Sequence, residues 1–268
     1  GATVWILARS VSKSNAVLAA IQEHSPRATV QVLQADLASL KEVDAAVEQF
    51  LQHPQGGKLD ILMNNAAVIV TSRQLSHDGL ELMFAVNHLA HFHLTQKLLP
   101  LLLSQKAAPS SGHNIQKPRI INVASGAHAF CKGIRYDDLQ WNNNFRTFPA
   151  YGHSKLANML FTRELMKRYG DKIDGWSLHP GAVATGLGTN NGWAGKVFPK
   201  LLVPFFRTPR KGAETILYLA TSDTVKEPIG SYLCDCKVKQ PKPWAEDETS
   251  QKRLWEVSEE LIQKSISA

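Results

Sequence analysis

Tyr151-Gly152-His153-Ser154-Lys155 places a phenol and an ammonium four residues apart, about one turn along the same face of a predicted helix. A tyrosine ordinarily ionises near ~10, and a cation held beside it favours phenolate, so the pair could exchange a proton with a substrate oxygen. Lowering the tyrosine by about two to three units corresponds to ~3–4 kcal/mol of differential stabilisation, within reach of one ammonium in a dry site. The spacing alone is common by chance, and its context strengthens it. Ser125 follows the apolar run Ile120-Ile121-Asn122-Val123-Ala124, and in open α/β sheets ligands gather at the carboxyl ends of strands. A hydroxyl there either holds a carbonyl oxygen alongside Tyr151 or only makes the turn.

Other polar residues punctuate apolar surroundings. Leu62-Met63-Asn64-Asn65-Ala66-Ala67 ends a second run with two amides and two small residues. Such amides either face a ligand or tie neighbouring strands together. Asn87, in Val86-Asn87-His88-Leu89, sits inside a long helical pattern, where an unbonded amide is costly, so it is expected to be satisfied in the core or at a site. His88 and His91 share a helix face without a third ligand nearby, and no metal site is expected. His179-Pro180-Gly181-Ala182-Val183-Ala184-Thr185 closes a later run with a Pro-Gly turn.

The elements that must position these residues alternate from end to end. Strand-like runs cover Thr3–Ala8, Val30–Leu33, Leu59–Asn65, Arg119–Ser125, Gly175–Pro180 and Gly230–Cys234. Helical spacing covers Ser14–Glu23, Leu40–Leu51, Gly79–Leu103, Ala150–Tyr169, Arg210–Thr221 and Glu248–Lys264. Short runs apolar on both faces, separated by helices, predict a doubly wound, mostly parallel α/β sheet buried by two helix layers.

Composition agrees. The 268 residues carry 30 Lys+Arg against 23 Asp+Glu, a formal charge of +7, with a hydrophobic fraction of 44%. That is ordinary for one globular domain spanning 1–268. No apolar run approaches the ~20 residues of a membrane-spanning helix. Three cysteines, Cys131, Cys234 and Cys236, form neither a disulfide framework nor a CxxC pair, which suits a reducing compartment. The basic residues are scattered without an aromatic-interleaved stripe, so nucleic acid is not an expected partner.

Taken in order, Asn64-Asn65-Ala66 after a strand, Val86-Asn87-His88-Leu89, Ser125 at a strand end, Tyr151-x-x-x-Lys155 and His179-Pro180-Gly181 resemble the short-chain dehydrogenase/reductase family over essentially the whole chain. Asp78-Gly79-Leu80-Glu81, Tyr151-Gly152-His153-Ser154-Lys155-Leu156-Ala157-Asn158 and Arg253-Leu254-Trp255 resemble its retinol dehydrogenase-like branch and, more distantly, WW-domain-containing oxidoreductases. The resemblance implies a Rossmann-like fold in which Tyr151 is the general acid/base and Lys155 binds the nicotinamide ribose and depresses the tyrosine pKa. It also implies that Ser125 holds the substrate oxygen and Asn87 supports a proton-relay water. Asp36, Leu37, Asn65, Ala66, Pro180, Gly181, Val183 and Thr185 match its cofactor-lining positions. Ala8-Arg9-Ser10 offers no acid for a ribose 2′-hydroxyl, and Arg9 suits a 2′-phosphate, so NADP(H) is expected over NAD.

Departures from the family pattern carry expectations of their own. Ala67 and Ala90 stand where Gly is frequent, and no G-x-x-x-G-x-G turn occurs in the chain. Thr3–Ala8 matches the family's second strand. The first strand, Gly-rich turn and first helix therefore lie before Gly1 or do not exist, and the chain is expected to bind NADP poorly. A segment at about 186–210, rich in apolar residues from Gly192 to Phe206, with Lys196 and Lys200 interspersed and Arg207, Arg210 and Lys211 flanking, matches the family's substrate lid. It suits a lipophilic alcohol, aldehyde or ketone such as retinol or retinal, and either meets a membrane interface or packs on the domain. The long helices at Gly79–Leu103 and Ala150–Tyr169 are those through which the family pairs as homodimers. The alternative to an enzyme is a truncated, catalytically incompetent member acting through protein–protein contacts. No targeting segment is legible, and the resemblance implies the cytoplasm or the endoplasmic-reticulum membrane.

Overall fold

A computed structural model describes residues 2–104, 117–183 and 207–267. Gly1, Thr185 and the apolar part of the expected lid, 186–206, lie outside the described residues. Strands β1 (Thr3–Ala8) and β2 (Thr29–Gln34) pair in parallel, with helix α1 (Val11–His24) between them in sequence. Helix α2 (Leu40–Gln52) leads to β3 (Ile61–Asn64), which opens a five-stranded sheet continuing through β4 (Arg119–Val123), β5 (Asp174–His179), β6 (Tyr232–Cys234) and β7 (Lys237–Val238). All its pairings are parallel except the β6–β7 hairpin, which turns through Asp235 and Cys236 at φ 53° and 58°.

Side-chain caps start several helices, and α1 begins at Val11, three residues before the expected Ser14. Ser10 accepts from the Lys13 amide, and Ser39 accepts from the Glu42 amide while the Glu42 carboxylate returns to the Asp36 amide at 2.8 Å. Helix α5 (Thr147–Tyr169) ends against Gly170, and α6 (Pro209–Thr221) begins at a Thr208 cap followed by proline.

The long helix expected over Gly79–Leu103 is instead three pieces: α3 (Leu82–Phe84), a π turn at Ala85–Leu89, and α4 (Ala90–Ser104). Gly79 has φ 74° in a turn closed on the Ser76 hydroxyl, and Glu81 starts the helix by accepting from the amides of Met83 and Phe84 at 3.0 and 2.7 Å. The π turn adds a residue to the helical register and carries Asn87, which is 0% exposed.

Helix α6 covers one face of β4 and β5, burying Leu219 against Ile121, Trp176 and Leu178. The other face carries α4, α5 and the last helix, α7 (Glu248–Ser267). Trp255 of α7 is buried among Phe92, Phe161 and Tyr169, with the Arg168 guanidinium 4.4 Å over its ring. This helix occupies a flank of α4 and α5, the two helices expected to meet a second copy. A polar ladder crosses beneath: the Asn64 amide donates to Asn122 at 2.8 Å and to Thr95 at 3.0 Å, and Asn122 donates to Thr162 at 2.9 Å. Asn64 is therefore the strand tie of the Asn64-Asn65 pair.

Burial of every strand on both faces does not hold throughout. The described strands form two separate sheets, with no pairing between β1 and β3 among the described residues. Val4 and Met63 on these two strands are 45% and 44% exposed. Among the described residues no helix is long and apolar enough to cross a membrane, and no group of three His, Cys, Asp or Glu side chains could hold a metal ion.

Candidate active site

Ser125, just beyond β4, is extended and caps a 3-10 turn at Gly126–Phe130, its hydroxyl accepting from the Ala127 amide at 3.1 Å. The lone pair is thereby engaged while the hydroxyl proton stays available to another oxygen. Tyr151 is buried among Val70, Met83 and Trp141, on the part of α5 that packs against the Gly126–Phe130 turn. Gly152 explains the approach: a Cβ there would lie 2.3 Å from the Ala127 carbonyl oxygen, so only a glycine lets α5 back directly onto the turn that carries Ser125. Gly152→Ala is expected to push the two elements apart by about 1 Å and lower turnover by up to ~10²-fold, read as kcat against wild type.

Burial sets the electrostatics here, and it reverses the expectation for the tyrosine. The Tyr151 phenol is pushed up to about 12 by desolvation, with the nearby Ser125 hydroxyl pulling the other way. Lys155 is 1% exposed, and its Nζ donates to the Val123 carbonyl at 2.9 Å, 5.9 Å from the centre of the Tyr151 ring. Desolvation brings the amine down to about 7. The spacing does bring the two groups side by side, yet the cation is directed to a backbone carbonyl at the end of β4 and both groups favour their neutral forms. Burial outweighs the expected depression of the phenol.

Asn87 satisfies its amide on backbone and hydroxyl groups. Its Oδ1 accepts from the Val68 amide at 2.7 Å, and its Nδ2 donates to the Val68 carbonyl and to the Ser154 hydroxyl, both at 3.0 Å. This ties the loop after β3 to α5. One side of that loop packs Val70 on Tyr151, and the other lines a cavity of about 300 Å³. Across the cavity stand Ala8 and Arg9 from the end of β1, and Asp36 and Leu37 after β2. Arg9 is 62% exposed and lies 3.8 Å from Asp36, whose other oxygen accepts from the Ala38 amide. Asn65 and Ala66 are exposed at the end of β3.

Beyond β5, the Pro180-Gly181-Ala182-Val183 loop is braced from behind. Gly181 has φ 87° and lies under the Arg207 side chain, the Arg207 amide donates to the Ala182 carbonyl at 2.7 Å, and the guanidinium pairs with Asp235. Arg207 and Ser154 act here through residues distant in sequence, a role no local spacing signals. The structure thus brings Asn87, Ser125, Tyr151 and Lys155 together around one set of strand ends and sets Arg9, Asp36, Leu37 and Ala66 around the neighbouring cavity.

A parallel sheet with a Ser–Tyr–Lys cluster at its carboxyl ends defines a class, and the chain belongs to the short chain dehydrogenase family, whose profile matches residues 1–193. It is 38% identical to retinol dehydrogenase 12 of Mus musculus over 263 residues, covering 98% of this chain and 79% of that protein. An uncharacterised protein from Mycobacterium paratuberculosis has a similar structure, with a TM-score of 0.72 and 28% identity, covering 98% of this chain and 85% of the other. The NADPH-bound carbonyl reductase from chicken fatty liver shares the fold at a TM-score of 0.60 and 22% identity, covering 88% of this chain and 87% of the reductase.

Proposed function

We propose that the chain is an NADP(H)-dependent oxidoreductase that moves a hydride between nicotinamide and a lipophilic alcohol, aldehyde or ketone of the retinol and retinal kind. The observation that carries this reading is the Tyr151 phenol buried beside the turn that Ser125 begins, with Lys155 buried one turn along the same helix. The retinol dehydrogenase relative and the NADPH-bound reductase of the same fold support the substrate class and the cofactor.

The side chains suit the cofactor at its two ends. At the adenosine end, Arg9 is open to solvent and only loosely paired, which suits a 2′-phosphate, while Asp36, Leu37, Asn65 and Ala66 provide walls. At the nicotinamide end stand Tyr151, Lys155 and the loop of Pro180, Gly181 and Val183. Thr185, outside the described residues, belongs to the same proposal. Calorimetric titration is expected to show NADPH bound more tightly than NADH, with the difference lost in Arg9→Gln. An unchanged preference in that variant contradicts this assignment.

When bound, the cofactor supplies the hydride. The chain's own residues manage the oxygen and its proton. Ser125 holds the substrate oxygen, and Tyr151, protonated at neutral pH, gives its proton to that oxygen as the carbonyl is reduced. A neutral phenol favours the reductive direction, since alcohol oxidation needs the phenolate. Lys155 offers the positive charge that offsets the phenolate left behind. Asn87 holds Val68 and Ser154, and through them the wall behind Tyr151.

A further inference from the structure

His128 lies on the turn that Ser125 begins, and its ring joins two backbone groups far apart in the chain. Its Nδ1 lies 2.8 Å from the Ser125 carbonyl oxygen, and its Nε2 lies 3.2 Å from the Lys242 amide nitrogen. A carbonyl only accepts and an amide N–H only donates. These partners fix the ring as the neutral tautomer with the proton on Nδ1, donating to Ser125, and the lone pair on Nε2, accepting from Lys242. The clasp continues beyond the ring. The Trp244 indole N–H donates to the His128 carbonyl at 2.9 Å, the Cys131 thiol approaches the same oxygen at 3.3 Å, and the Tyr232 ring packs 5.3 Å away. His128 is 4% exposed.

We propose that His128 is a positioning residue for Ser125, held in a single tautomer by the Lys242–Trp244 segment. The inference rests on the reading of Ser125 as the group that holds the substrate oxygen. The Ser125 hydroxyl is held by the Ala127 amide of the same turn, and the His128 ring anchors that turn by the Ser125 carbonyl, which also accepts from the His128 amide at 3.3 Å. The anchor's far end, Lys242–Trp244, lies outside the residues 1–193 that match the family profile. The C-terminal part of the chain therefore sets the geometry of a residue near its middle. Protonation of Nε2 would set one N–H against another and open the clasp. The groups facing the ring are Tyr232 from β6, Lys239 after β7, Lys242, Cys131 and, from β5, His179. Burial and the two lysines all oppose a charge on His128.

Long-range proton–nitrogen NMR on the histidine-labelled chain is expected to show a pyrrole-type Nδ1 and a pyridine-type Nε2 for His128 at neutral pH. The opposite tautomer or a cationic ring overturns the proposal, independently of any turnover. In turnover with a lipophilic aldehyde at high NADPH, His128→Ala is expected to lower kcat by about 10–100-fold with little change in KM, the scale of a small misplacement of a reacting group. His128→Asn, whose amide N–H can reach the Ser125 carbonyl in place of Nδ1, should recover most of that loss. It should also lack the acid-side fall in kcat that protonation of His128 causes in the wild type. Wild-type kcat in His128→Ala, or Asn no better than Ala, overturns the proposal. Full turnover in Ser125→Ala overturns the catalytic reading beneath it, a failure distinguishable because the tautomer measurement does not depend on catalysis.

Discussion

Lys155→Met raises the stability of the chain and removes its turnover. Lys155 is 1% exposed, with its amine on the Val123 carbonyl, and burial brings its pKa down to about 7 from 10.5. Because the folded-state pKa lies below that of the unfolded lysine, the unfolded chain holds more protons between pH 7 and 10.5. Stability therefore climbs with pH across that window. The burden is fully present below it and absent above. Methionine fills a similar volume without a charge to desolvate, so the gain is expected to be on the order of a few kcal/mol at pH 6 and to fade toward pH 10.5. Thermal unfolding of both proteins across this range reads it directly. A methionine variant less stable at pH 6 contradicts the assigned burial. Turnover should fail in the variant, and in the wild type it should decline as pH rises through about 7 and the ammonium is lost.

Tyr151→Phe is expected to reduce turnover by about 10²–10⁴-fold while leaving the fold intact, the range attributable to one positioned acid. The phenol is buried against Val70, Met83 and Trp141, and phenylalanine keeps that packing. What disappears is one hydroxyl beside the turn that Ser125 begins. The carbonyl oxygen would then gain negative charge with only the Ser125 hydroxyl beside it. Substrate binding should change little, because the ring that lines the site remains. The loss belongs in kcat, and a variant that loses affinity but keeps kcat would assign Tyr151 to binding instead.

The groups that meet the substrate were legible in the sequence because their signal is local. Tyr151 and Lys155 are one turn apart on a helix whose pattern is unambiguous, and Ser125 follows an apolar strand at the end where such sheets collect ligands. Their electrostatics were not legible, since spacing does not reveal that Lys155 reaches the Val123 carbonyl or how fully α5 is buried. Asn87 could be recognised as an amide needing partners, but those partners lie 19 and 67 residues away. His128 gave no local signal, and its ring meets an amide 114 residues downstream. The strands were located to within a residue or two. The break between β1 and β3 falls beside Thr3–Ala8, the run that matches the family's second strand, whereas the half-open side chains of Val4 and Met63 carry no local signal.

The most direct measurement follows NADPH absorbance at millimolar cofactor while lipophilic aldehydes, retinal among them, are added to the wild type and to Tyr151→Phe side by side. Aldehyde-dependent consumption of NADPH by the wild type, abolished in the variant while its thermal unfolding stays unchanged, is the predicted result. Equal turnover in the two proteins would contradict the assignment of Tyr151 as the proton donor.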